Sequence, residues 1–226
     1  MLLRTRAGTG SNGVTSIAAG PVKLTGALDL PIGARGVVLV SIDVCGSAEP
    51  WSTVWMQELR GRELAVLCFG FLTPCERPGH EQSGYLGFDI PFLRKRWLAA
   101  TRWALAQSPL QRLPLGYLAS GAVAAAALSS AARAPAVRAV VCADGRLEFA
   151  GPDLEVVRAP TLLILSRNDH AAAANHERAL ARLGKSTSRL AVANDVASEG
   201  MSLARSAARL AAVWFERHLG SSPESI

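Results

Sequence analysis

Lysine is nearly missing from this chain. Only Lys23, Lys95 and Lys185 occur, so 21 of the 24 basic residues are arginine. Against 18 acidic residues they give a formal net charge of +6 and a pI of about 9.7. The arginines are scattered through alanine- and leucine-rich stretches. One tight cluster, Arg94-Lys95-Arg96, sits at the start of a predicted helix. This pattern reads as a solvated basic face, not as the concentrated basic stripe that nucleic acid demands. Metal-ligand spacing is also missing. Cys45, Cys68, Cys75 and Cys142 form no CxxC pair and no His/Cys zinc pattern, so no metal and no cofactor is expected. Cys68 and Cys142 fall in apolar runs and read as buried small hydrophobes. Cys45 and Cys75 follow strands and are expected to line a pocket. Cysteines without a disulfide pattern fit a reduced, cytoplasmic setting. No apolar signal-peptide core occurs in Met1–Gly20. The longest small-apolar run, Ala119–Ala132, contains Ser and Gly and is too short to span a bilayer, so no membrane partner is expected.

Half of the 226 residues are hydrophobic and 19% are charged, which suits one globular domain with a large core. Residues 1–20 are expected to be a loose leader, 21–220 the domain, and 221–226 a tail. Val22–Leu30 alternates apolar and polar residues, the period of a half-exposed strand. Val37–Ile42, Glu63–Phe71, Pro114–Leu118, Val137–Cys142, Pro160–Ser166 and Arg189–Ala193 read as further strands. Helices are expected over Ser52–Leu59, from Asp89 as N-cap to about Gln107, and over Gly121–Arg133, Ala171–Leu183 and Ser202–His218. Leu72–Gly87 reads as a long connection, a common carrier of function. Strands alternating with helices predict an α/β fold with a mostly parallel sheet covered on both faces. A site in such a fold lies at the carboxyl ends of the strands.

Several stretches resemble a bacterial branch of the dienelactone-hydrolase family within the α/β-hydrolase fold. They are Gly36-Val-Val-Leu-Val40, Ser83-Gly-Tyr-Leu-Gly-Phe-Asp-Ile90 and Ala99-Ala-Thr-Arg-Trp103, followed by Leu113-Pro-Leu-Gly-Tyr117, Ala159-Pro-Thr-Leu-Leu-Ile164 and Trp214-Phe-Glu-Arg-His-Leu219. The resemblance implies a serine or cysteine on a sharp strand-to-helix elbow, a histidine base, an orienting acid and a backbone oxyanion site. This sequence departs from that set. The elbow reads Gly116-Tyr-Leu-Ala-Ser-Gly-Ala122. Aligned with one gap, Ser120 takes the nucleophile position; aligned without, Gly121 takes it. The His-Gly oxyanion loop becomes Ile42-Asp43, where a carboxylate repels a developing oxyanion. The family's acid falls on or beside Asp169. The loop after the last strand, Ala193–Gly200, should carry the histidine and contains none.

The candidate catalytic residues are therefore Ser120, Asp169, His170 and Asp43. Serine at 120 also suits a helix cap, and Asp169 a helix N-cap. His170 is the best-placed proton carrier near pH 7, or else an exposed loop histidine. His176 and His218 read as helix-surface residues. Asp43, Asp144 and Asp195 fall at strand ends; clustered carboxylates serve as acid and base, whereas single ones often only build turns. Cys45, Leu72, Cys75, His80, Tyr85 and Phe88, with Asp144 and Asp195, are expected to bind substrate. Three functions fit: a non-hydrolytic isomerase, dehydratase or cyclase acting on a small apolar substrate through Asp/His chemistry; an atypical serine ester or lactone hydrolase using Ser120; or an inactive ligand-binding or scaffold protein. The expected partners are a small molecule and, in assembly, a second copy of the chain.

Overall fold

The computed structural model describes residues 11–41, 50–166, 170–183, 188–193 and 200–220. Their strands are β1 (Ser11–Ala19), β2 (Val22–Leu30), β3 (Gly36–Ser41), β4 (Leu64–Phe69), β5 (Leu115–Ser120), β6 (Val137–Ala143), β7 (Thr161–Ser166) and β8 (Arg189–Ala193). They form one sheet in the order β1-β2-β4-β3-β5-β6-β7-β8. β1, β2 and β4 pair antiparallel, and β4 through β8 run parallel. The helices are α1 (Pro50–Arg60), α2 (Arg77–Ser83), α3 (Ile90–Ala106), α4 (Ala124–Ala131), α5 (His170–Arg182) and α6 (Gly200–Leu219). The α/β class expected from the alternation of strands and helices is the observed one.

Parallel neighbours need crossover helices, and these cover both faces of the sheet. The central strands are continuous apolar runs because both of their faces are buried. Val38, Val40, Val66 and Leu118 point to one side, where Trp55 and Leu59 of α1 and Ala208, Ala211 and Phe215 of α6 pack. Val37, Leu39, Leu67, Tyr117 and Ala119 point to the other, onto Leu93, Trp97 and Ala100 of α3 and the alanines of α4. Four aromatic rings, Phe69, Phe71, Trp97 and Tyr117, meet in that second layer at centroid separations of 4.6 to 5.6 Å.

Three expectations need correction. Part of the presumed leader is strand β1: Ile17 is fully buried while Val14 is 85% exposed, so the hairpin with β2 presents alternate residues to the core. The connection after β4 is not irregular throughout. It forms α2, with Pro78 tolerated in its first turn and Gly84 (φ 64°) ending it. Arg96 does not belong to a solvated basic face. Helical spacing turns it inward, where it is 6% exposed.

Candidate active site

β5 is held in register between β3 and β6, with Ser41 opposite Ala119 and Ser120 opposite Ala143. Ser120 is the last strand residue, extended at φ −137° and ψ 153°. The chain breaks at Gly121 (φ 60°), passes through a 3-10 turn over Gly121–Val123, and enters α4. This is the strand–turn–helix elbow, and the left-handed residue in it is Gly121. A β-carbon built on Gly121 meets nothing within 4 Å among the described residues. Behind it the packing is tight. Gly145 (φ 101°) lies so close that a β-carbon there falls 2.3 Å from the Gly121 carbonyl oxygen.

Asp144 precedes Gly145 and is itself left-handed (φ 57°). Its N–H donates to the Ile164 carbonyl at 2.8 Å, which fixes the turn leaving β6. Positive φ in a non-glycine residue costs energy and concentrates at functional sites. Asp144 thus stands beside the elbow, one residue beyond the Ala143–Ser120 pair. Ser120 is half-buried, and its side chain does not cap α4 or the turn before it. The capping role that its position suggested is not performed.

The segment after β4 is stapled to α3 beside the aromatic layer. The Glu76 carboxylate accepts from the Thr73 N–H and hydroxyl, each at 2.8 Å, and from Arg96 Nη1 and Nη2 at 2.8 and 2.6 Å. Arg96 also donates to the Phe71 carbonyl and stacks 4.2 Å from the Phe92 ring centroid. The guanidinium holds the Glu76 carboxyl down at about 2. Sequence reasoning missed this pair, because only the phase of α3 turns Arg96 inward toward Glu76. Leu72, a candidate pocket residue, is packed in the core at 3% exposure together with Phe71. Cys75 is exposed, and the Nδ1 of His80, on α2, is shielded with no partner among the described residues.

Tyr85 and Phe88 are 65% and 56% exposed. Phe88 makes an edge contact at 5.9 Å with Phe149, which lies in the 3-10 segment Leu147–Glu155. Arg146, the residue after Gly145, stacks 4.9 Å from Phe149 and is held by Glu148 at 2.5 Å. An aromatic and cationic rim therefore joins the segment before α3 to the turn beside the elbow. Asp43, Cys45, Asp169 and Asp195 lie outside the described residues, as does the His170 side chain. His176 is a correction: it is fully buried, because α5 turns it against the body of the domain. Among the described residues no group of three or more His, Cys, Asp and Glu side chains is placed to hold a metal. No described helix is long and apolar enough to cross a membrane.

A dienelactone hydrolase from Anabaena variabilis, known from its crystal structure, superposes with a TM-score of 0.86 at 34% sequence identity, over 94% of this chain and all of that one. The chain belongs to the dienelactone-hydrolase family. The Rhodothermus marinus esterase domain superposes at 0.72 with 17% identity, over 93% of this chain and all of that one. A dienelactone-hydrolase-like promiscuous phosphotriesterase from metagenomic libraries superposes at 0.72 with 16% identity, over 94% of this chain and all of that one. Those two likenesses speak for the fold. A Mycobacterium tuberculosis protein, provisionally named a phosphoribosyl transferase, is 34% identical over 206 residues, 90% of this chain. The chain spans 46% of that protein's length. No family profile matches the chain.

Proposed function

We propose that this member of the dienelactone-hydrolase family works without an acyl-enzyme. In this reading it acts on a small apolar substrate by acid–base chemistry of the isomerase, dehydratase or cyclase type. The carrying observation is Gly121. It has the left-handed backbone of the elbow, a β-carbon there would meet no described residue within 4 Å, and it offers no side chain. The ungapped alignment gains support from that geometry. Asp144 is the described acid–base candidate beside the elbow. Asp43, Asp169, His170 and Asp195 are proposed to complete the set from the neighbouring loops. A carboxylate removes a proton from carbon; returned to another carbon by the same or a second acid it gives an isomerisation, and delivered to a hydroxyl whose C–O bond breaks as the new double bond forms it gives a loss of water. Tyr85, Phe88 and Phe149 supply apolar surface for the substrate, and Arg146 supplies a cation at its edge.

A second reading keeps Ser120 as a hydrolytic nucleophile. It draws support from the half-exposed serine that caps nothing and from the likeness to the Anabaena variabilis dienelactone hydrolase. Two assays divide the readings. With p-nitrophenyl esters and simple enol lactones, the first reading expects wild type and Ser120→Ala to agree within twofold, near the buffer rate. Saturable turnover that disappears in Ser120→Ala establishes the second. In D2O, small carbonyl compounds followed by NMR are expected to exchange carbon-bound protons with wild type and at least tenfold more slowly with Asp144→Asn. Asparagine tolerates the left-handed conformation, so that variant preserves the turn. Equal exchange in both proteins removes Asp144 from the mechanism.

A further inference from the structure

The parallel sheet has two ends, and the elbow, Asp144 and the aromatic rim all lie at one of them. At the other end, where β6 and β7 begin, a cavity of about 410 Å³ opens to solvent. Its volume falls in the range of small-molecule sites. Strand β6 has seven residues, so the two ends stand roughly 20 Å apart at about 3.3 Å per residue.

The cavity wall is apolar, from Ala134, Pro135 and Val156 among others. Its polar groups are Arg138, Arg158 and His218. The two arginines are cationic, and no acidic residue among the described ones lines the cavity. Some arginines of this chain find carboxylates, Arg133 and Arg94 at Asp153, Arg182 at Glu155 and Arg62 at Glu216, while others such as Arg102 and Arg112 have no ion-pair partner among the described residues. Arg138 and Arg158 have no ion-pair partner among the described residues. The His218 Nε2 is shielded from solvent and likewise has no hydrogen-bond partner among them. The His218 ring lies 4.4 Å from that of Trp214, which fixes its orientation.

We infer that this cavity is a binding site, separate from the elbow, for a small organic monoanion with a short apolar body, of the medium-chain carboxylate class. The anionic head meets Arg138 and Arg158. The alkyl body covers the alanine and proline wall. Arginine's planar fork suits a carboxylate head, while the apolar wall gives free inorganic phosphate nothing to cover.

The test uses octanoate as probe and inorganic phosphate as comparator, each titrated into the full chain by calorimetry and by tryptophan fluorescence. Octanoate is expected to bind saturably and to change the emission of Trp214; Trp214→Phe loses that change and keeps the heat. Arg138→Glu and Arg158→Glu, both at exposed positions that tolerate substitution, are each expected to weaken octanoate at least tenfold. The conservative Arg158→Lys is expected to retain most of the affinity. Phosphate is expected to bind at least tenfold more weakly than octanoate. Absent octanoate binding, binding unchanged in both glutamate variants, or phosphate binding as tightly as octanoate each overturns the inference. Elbow variants such as Ser120→Ala should leave octanoate binding unchanged; a loss there also overturns it, by placing the probe at the other end of the sheet.

Discussion

Replacing Gly121 by serine puts a hydroxyl where the elbow has room for one, and the cost should be small. A β-carbon there meets no described residue within 4 Å, so the main penalty is the left-handed backbone, about 1 to 2 kcal/mol. Gly145→Ala makes the contrast. Its φ is 101° and its β-carbon meets the Gly121 carbonyl at 2.3 Å, so backbone strain and overlap combine to about 3 kcal/mol or more. Urea denaturation of the two variants should rank them in that order; equal losses would mean that the elbow is not built as described. Glu76 carries the residue-scale pH prediction. Its folded pKa of about 2 lies below the ordinary 4.5, so its contribution to stability is fully present above pH 4.5 and is lost as the pH falls toward 2. Glu76→Gln should flatten the pH dependence in that window and cost about 1 to 2 kcal/mol at neutral pH, the worth of a partly exposed charge-assisted network. A variant with an unchanged acid-denaturation profile would remove the pair from the account. Neither residue was legible as a partner in the sequence, since only the phase of α3 decides that Arg96 turns inward while Lys95 does not.

Among the elements, those whose pattern carries its own period were readable. Val22–Leu30 and Arg189–Ala193 match their strands end for end. Helix α3 begins after Asp89, whose carboxylate accepts from the Phe92 N–H at 3.0 Å, as a capping aspartate at that point implied. The elements missed depend on a partner or on a tolerated breaker. β1 is rich in Ser, Gly, Thr and Ala and gains its structure from pairing with β2, which no local propensity announces. α2 contains Pro78 and Gly79, and the 3-10 segment Leu147–Glu155 contains Gly151 and Pro152, so both look like punctuation. Ile17 tests whether β1 belongs to the domain. Truncation of this fully buried side chain, Ile17→Ala, should cost about 2 to 4 kcal/mol, whereas Val14→Ala, 85% exposed, should stay within about 0.5 kcal/mol. Thermal melts showing no difference between the two would return residues 11–19 to the role of a leader.

At the scale of the molecule, fold and family were legible because they spread over many positions: six short resemblances in order, carried by a sheet whose two faces are both buried. The site was legible only in part. That residues 193–200 hold no histidine and that Asp43 follows Ile42 are facts of sequence, but the choice between Ser120 and Gly121 turns on a backbone angle that no residue name encodes. The left-handed φ at Gly121 and the close approach of Gly145 shape the turn after Ser120, and in the proposed function the missing side chain at Gly121 is what sets this protein's chemistry apart from its family's. The most direct measurement is labelling of the purified wild-type protein with an alkyl fluorophosphonate, read by intact mass beside Ser120→Ala. The account predicts no covalent adduct on either protein at probe concentrations that saturate a serine hydrolase. A stoichiometric adduct on wild type that vanishes in Ser120→Ala would contradict it, and would return the chain to the serine hydrolases.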